Sequence, residues 1–279
     1  MSRLRVPSSA PSFVLAAALS VGLSPLARAA VVTETVEYQH GGETYQGFVA
    51  YDDAIDGPRP GVLVVHEWWG LNDYAKTRAT MLAELGYVAF AVDMYGEGKT
   101  VEHPEEAAKF SGMVRENVKE WRSRALAGLE QLRQRPQTDP ENLAAIGYCF
   151  GGATVLQMAY AGAPVKGVVS FHGALPAATE EEAKKVSAGV MICHGAADGF
   201  VPREQVEACL APLEAAGADY VFTAYAGARH GFTNPGADAR EMPGLKYDAK
   251  ADARSWAAMT AMFDVLLKGE SLPVAADAD

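Results

Sequence analysis

Three features of this sequence predict an α/β fold, a mostly parallel central sheet covered by helices on both faces. Short apolar runs at 61–65 and 87–92 read as central strands buried on both sides, and 165–171, 188–194 and 220–225 read as further strands. Between them lie stretches whose apolar residues recur at helical spacing, the alternation that builds a parallel sheet wrapped by helices. At Ile146-Gly147-Tyr148-Cys149-Phe150-Gly151-Gly152 an apolar run turns abruptly into a helical one. Glycines stand two residues before and two after the cysteine, where a sharp corner brings backbone against backbone and leaves no room for a Cβ.

The elements follow in order. Residues 31–38 and 44–51 alternate apolar and polar side chains around His40-Gly41-Gly42, which predicts an N-terminal antiparallel hairpin. The first central strand is 61–65. Tyr74, Ala79, Met81, Leu82 and Leu85 set a helical period over 72–85, with Gly86 placed to cap it. A second central strand over 87–92 ends at Asp93-Met94-Tyr95-Gly96. Two helices come next, over 104–116 and 118–133, the second amphipathic through Trp121, Leu126, Leu129 and Leu132. Residues 142–146 lead into the cysteine corner as a strand, and 154–161 leave it as a helix. Strands are expected at 165–171, 188–194 and 220–225, a short polar helix or connector at 180–186, and a helix at 203–215. After a loop rich in Gly and Pro, 251–267 forms a final helix and 271–279 a frayed tail. No repeat, low-complexity tract or linker divides the chain, so 30–270 is expected to be one domain. In such a sheet the strand ends at 66, 93, 149, 172 and 195 gather along one edge, where sites are placed.

The beginning of the chain has the layout of a signal peptide. Arg3 and Arg5 precede an uncharged apolar run over 13–26, and Ala27-Arg28-Ala29 supplies small residues at a cleavage site. The run is short and interrupted by Pro25, unlike a membrane span. Cleavage after Ala29 and export to the periplasm or beyond are expected. The leader takes with it three of the 24 Lys and Arg and none of the 35 Asp and Glu, so the mature chain carries a charge of about −14. That balance argues against nucleic acid and anionic membrane surfaces as partners. It says nothing of oligomeric state. Three cysteines, Cys149, Cys193 and Cys209, are too few and odd in number for a disulfide framework. Cys193 and Cys209 read as small core residues, with a bridge between them left open. No Cys/His spacing resembles a zinc site, and no cofactor is expected.

A G-x-nucleophile-x-G corner of this kind is the elbow of the α/β-hydrolase fold, here with cysteine in the nucleophile's place. It holds its central side chain exposed at the carboxyl end of the sheet, and aims the Phe150 N–H and the following helix N-terminus at any oxyanion formed there. Two later strand ends carry what a cysteine nucleophile needs. Asp198 lies in His194-Gly195-Ala196-Ala197-Asp198-Gly199-Phe200, and His230 in Gly227-Ala228-Arg229-His230-Gly231-Phe232. Nucleophile, acid, histidine is the chain order this fold uses. His230 would take and return the proton, and Asp198 would fix its tautomer and orientation. Two other classes stay open beside this one. A hydrolase fold reused as a binding module would keep the elbow without turnover; a thiol redox protein would need the C-x-x-C pair this chain lacks.

Over essentially the whole mature chain the sequence resembles the dienelactone hydrolases. The resemblance rests on the elbow, the His-Gly-x-x-Asp around Asp198, the Gly-x-x-His-Gly-Phe around His230, and His66-Glu67-Trp68-Trp69-Gly70-Leu71-Asn72. It implies an ester or lactone hydrolase working through a thioester acyl-enzyme. It also implies that Glu67 contacts the nucleophilic cysteine in the resting enzyme and helps deliver a thiolate, and that the Trp68 N–H is the second oxyanion donor beside Phe150. A carboxylate after a buried strand and between tryptophans must in any case be solvated, paired or functional. Two departures bear on substrate. The family's two carboxylate-binding arginines fall where this chain reads Gly96-Glu97 and Thr233-Asn234-Pro235. Without that clamp an anionic lactone loses its orienting contacts, so a neutral ester or lactone is expected. Trp68, Trp69, Tyr95, Phe150, His172 and Phe200 are candidates to line the pocket.

Overall fold

A computed structural model describes Met1 and residues 31–271. The leader expected over 1–29 is outside the described residues apart from Met1, and so is the expected tail apart from Ser271. The chain opens with the hairpin β1 (Val31–His40) and β2 (Glu43–Asp52), closed by Gly41 and Gly42 at φ of 59° and 84°. Both lie in the left-handed region that a two-residue hairpin turn demands and glycine adopts freely. β3 (Arg59–Val65), α1 (Asp73–Glu84), β4 (Val88–Val92), α2 (Pro104–Glu116) and α3 (Val118–Arg133) follow. After them come β5 (Thr138–Tyr148), α4 (Phe150–Tyr160), β6 (Gly167–Phe171) and the single turn α5 (Glu180–Ala183). The chain finishes with β7 (Gly189–Gly195), α6 (Arg203–Ala215), β8 (Tyr220–Tyr225) and α7 (Ala249–Lys268).

The eight strands form one sheet in the order β1-β2-β4-β3-β5-β6-β7-β8, in which only the β1–β2 and β2–β4 pairings are antiparallel. The pleat sends successive side chains to opposite faces. Leu63 and Val65 therefore enter one core with Trp121 and Leu129 of α3 and Val155 of α4, while Val62 and Val64 enter another with Ala79 and Leu82 of α1 and Phe263 of α7. Burial on both faces is why β3 and β4 read as unbroken apolar runs, whereas the edge strand β8 is only partly buried. Among the described residues no helix is long and apolar enough to cross a membrane.

Three elements depart most from the sequence reading, each for a local reason. β5 begins at Thr138, because Thr138 and Asp139 pair with Arg59 and Pro60 before a register shift absorbs Pro140, Glu141 and Asn142. The polar stretch before the apolar run hid that extension. α4 begins at Phe150 and not at residue 154. Its first turn holds Gly151 and Gly152, poor helix formers that tertiary contact retains. The connector expected over 180–186 shortens to α5, which a Thr179–Glu182 capping box starts.

Candidate active site

Cys149 sits between the last residue of β5 and the first of α4, at φ 54° and ψ −111°. A β-carbon-bearing residue rarely holds such a conformation, and it persists only where its surroundings enforce it. They do so on both sides. A Cβ on Gly147 would lie 2.0 Å from the Gly151 carbonyl oxygen, and one on Gly151 would lie 2.1 Å from that of Val65. The Cys149 N–H donates to the Phe171 carbonyl (3.0 Å), and the Cys149 carbonyl accepts the early helical bond from Ala153 N–H (3.3 Å). The thiol is thereby pushed out of the corner while its backbone stays tied to β6 and α4. Cys149 is partly exposed; Cys193 and Cys209 are buried, and all three are free.

Asp198 and His230, 32 residues apart, meet through a 2.8 Å bond from His230 Nδ1 to Asp198 Oδ2. The other Asp198 oxygen accepts the Phe200 N–H at 2.9 Å, so neither can swing away without losing a partner. The Asp198 side chain is fully buried and that of His230 only 9% exposed, which keeps water from screening the pair. Burial by itself would drive the His230 proton off. Negative charge and hydrogen bonding at Cys149, together with Asp198, overcome it and push the imidazole up to about 10. Cys149 and His230 open onto the same cavity.

The turn after β3 is braced from beneath. His66 accepts the Met94 N–H at Nε2 (3.2 Å), so its proton is on Nδ1 and donates to the Glu67 carbonyl at 2.5 Å. In a trans peptide, C=O and N–H point in opposite directions. Pinning the Glu67 carbonyl therefore aims the Trp68 N–H the other way, and Tyr95 OH donates to the Trp68 carbonyl at 2.9 Å to hold the next peptide. The Glu67 side chain is buried. Its Oε2 accepts from Asn234 Nδ2 at 2.6 Å, and Asn234 Oδ1 in turn accepts the Gly236 N–H at 2.8 Å, which fixes which end of the amide faces Glu67. Burial raises the Glu67 carboxyl, with the Asn234 bond and the His230 charge pulling against it. Among the described residues, the Glu67 carboxylate takes its hydrogen bond from Asn234 and not from Cys149.

A cavity of about 240 Å³ stands over the sulfur, walled by Trp68, Phe200, Val201, Met242 and Leu245 with Arg115 at its side. Of the residues expected to line the substrate pocket, Trp68 and Phe200 line this cavity; Trp69, Tyr95 and His172 do not. Trp69 is buried beneath the Arg240 guanidinium, 4.1 Å from its ring centre. The Tyr95 ring is packed among His66, Phe110 and Phe150, and its hydroxyl is spent on Trp68. Phe150 is likewise a core ring, stacked on Trp121 at 5.7 Å. His172 is fully buried against His230. Adjacency to a strand end brought these residues near the site, but the turns and the helix start that follow the strands direct their side chains into packed surroundings. Arg115, Met242 and Leu245 were not legible as site residues. Arg115 reads as an ordinary charge in the last turn of a helix, and the other two lie in a loop with no periodicity.

The family model described as the dienelactone hydrolase family matches residues 45–267. A protein named Protein usf from Aquifex pyrophilus is 29% identical over 208 residues, covering 72% of this chain and 87% of its own. A solved structure of a dienelactone hydrolase-like promiscuous phosphotriesterase from metagenomic libraries is 39% identical, with a TM-score of 0.82 over 85% of this chain and 99% of that one. Another solved structure, named m3DLH, is 38% identical at a TM-score of 0.83 with the same coverage.

Proposed function

Since this chain belongs to the dienelactone hydrolase family and is a hydrolase of that type, we propose that it cleaves neutral esters or lactones with Cys149 as nucleophile, His230 as acid and base, and Asp198 as the group that orients His230. The observation that carries this reading is the buried 2.8 Å Asp198–His230 bond at the edge of the cavity that also holds Cys149. In the proposed cycle the sulfur attacks the carbonyl carbon, and the oxyanion is met by the Trp68 and Phe150 N–H groups. The C–O bond breaks as His230 protonates the departing alkoxide, leaving a thioester. Water then gives a proton to His230 and attacks the thioester carbon; the acid is released and the sulfur regenerated. The charge on His230 pulls against the burial that raises the Glu67 carboxyl, so the imidazolium favours the ionised carboxylate.

The apolar walls support a neutral substrate. The turn after Tyr95 supports it as well: it folds around Asp93, which accepts the N–H groups of Tyr95, Gly96 and Gly98, and the Glu97 side chain faces solvent. The phosphotriesterase relative suggests that neutral phosphotriesters belong in the same test. One observation favours a second reading, an anionic lactone. Arg115 lines the cavity, with Nε and Nη2 engaged by Ser111 (3.1 and 3.2 Å) and no acidic partner among the described residues. Paired neutral and carboxylate-bearing esters decide between them. Higher kcat/KM on the neutral member, little changed by Arg115→Gln, supports the first; a preference for the anion that Arg115→Gln removes supports the second. A binding module without turnover would hydrolyse neither. The signal-like leader supports export of the enzyme, where its exposed thiol would meet oxidants.

A further inference from the structure

Against the ring of His230 lies a second histidine that the proposed cycle does not use. His172 follows β6 directly, is fully buried, and has φ 38°. Its ring meets that of His230 edge-on, with centroids 5.3 Å apart and planes at 65°, and Phe232 closes another side at 5.2 Å. Its Nε2 is 2.7 Å from Thr233 Oγ1, which is 2.6 Å from the Tyr74 hydroxyl. The far end of this chain is Arg78, whose Nε donates to the Tyr74 oxygen at 3.3 Å. Arg78 Nη2 also donates to the Thr233 carbonyl (2.5 Å) and to Asp252 Oδ1 (2.6 Å). Arg78 is 4% exposed and its guanidinium lies 5.3 to 5.5 Å from the ring centres of Tyr74, Tyr148 and Trp256.

An arginine can only donate, so Tyr74 accepts from Arg78. Thr233 Oγ1 is the partner of His172 Nε2, and His172 Nδ1 has no partner among the described residues. A doubly protonated ring would need an acceptor at both nitrogens, so the His172 ring is neutral. We propose that Thr233 and His172 are positioning residues: the chain anchored at Arg78 holds a neutral imidazole against His230 and so fixes the plane in which His230 exchanges its proton with Cys149. Burial and the neighbouring His230 charge both keep His172 well below the ordinary histidine range, in keeping with a neutral ring. This rests on His230 being the acid and base of the reaction.

Thr233→Val removes the hydroxyl at nearly constant shape and leaves the carbonyl that Arg78 holds. The expected result is a fall in kcat of about 10-fold with KM within about 2-fold, because a displaced base slows chemistry more than binding. Thr233→Ser restores the hydroxyl and is expected to recover kcat. In ¹⁵N-histidine spectra of the unaltered enzyme near neutral pH, His172 is expected as a neutral ring. Wild-type kcat in Thr233→Val overturns the proposal, and so does a His172 ring that is doubly protonated near neutral pH. If Thr233→Val fails to fold, the spectrum of the unaltered enzyme decides alone. Turnover retained by Cys149→Ala would instead sink the nucleophile assignment, an outcome separate from the His172 spectrum.

Discussion

Asp198→Asn changes one atom in the proposed triad and reverses one hydrogen bond. Asp198 Oδ1 accepts from the Phe200 N–H, a donor that cannot become an acceptor, so the asparagine carbonyl must stay there. Its NH2 then faces His230 Nδ1, now 2.8 Å from a carboxylate oxygen. Two donors cannot share that line. The imidazole must put its proton on Nε2, the nitrogen left to face Cys149, where a base is required. With the carboxylate buried, no water is at hand to substitute. Loss of a charge-assisted bond costs about 1.5–3 kcal/mol, which is roughly 10- to 150-fold in rate. The enforced tautomer adds to this, and in a serine-protease triad the same exchange removes about 10⁴ from kcat. A loss of roughly 10³-fold in kcat is expected here, with KM little changed, in steady-state hydrolysis of a nitrophenyl ester. A fall of under about 5-fold, or a loss confined to KM, would refute the orienting role.

Three further outcomes follow from the same geometry. Gly151→Ala places a Cβ 2.1 Å from the Val65 carbonyl oxygen and 2.7 Å from that of His66; backbone cannot give way cheaply, so a loss of at least about 3 kcal/mol in denaturant unfolding is expected, and an unchanged midpoint would contradict it. Burial raises both Cys193, to about 12, and Cys209, while Cys149 is partly exposed. Iodoacetamide on the folded protein near neutral pH should therefore label Cys149 alone by peptide mass spectrometry, and native labelling of Cys193 would contradict the burial. Finally, His230 is raised from 6.5 to about 10 on folding. Its contribution to stability is thus complete below the unfolded value and is lost as pH climbs through the folded one. The thermal midpoint should fall across that window, and less steeply in Asp198→Asn; a midpoint that rises with pH would show the opposite sign.

The parts of this molecule that were legible in its sequence are those that local chemistry decides. The helices over 104–116, 118–133 and 203–215 and the strand over 220–225 have the bounds their periodicity gives. The elbow was legible because glycines bracket a cysteine, and the structure supplies the reason in two close carbonyl approaches. The Asp198–His230 meeting followed from chain order and strand-end placement. What the sequence could not show is which way a side chain faces once its strand has ended. Tyr95 and His172 each follow a strand closely, yet one braces the Trp68 carbonyl and the other packs beneath His230. Asn234 was visible only as a missing arginine, and its grip on Glu67 depends on a loop whose path no periodicity encodes. The α4 start was hidden by glycines whose helix propensity is poor and whose necessity is tertiary.

The central claim is that a thioester forms on one sulfur and is discharged by one imidazole. Rapid acid quench of the enzyme during turnover of an activated aryl ester, followed by peptide mass spectrometry, tests it most directly. The expected result is an acyl adduct on the peptide carrying Cys149, accumulating in His230→Ala if acylation proceeds and absent from Cys149→Ala together with turnover. Full turnover by Cys149→Ala, or an adduct on any other residue, would contradict it.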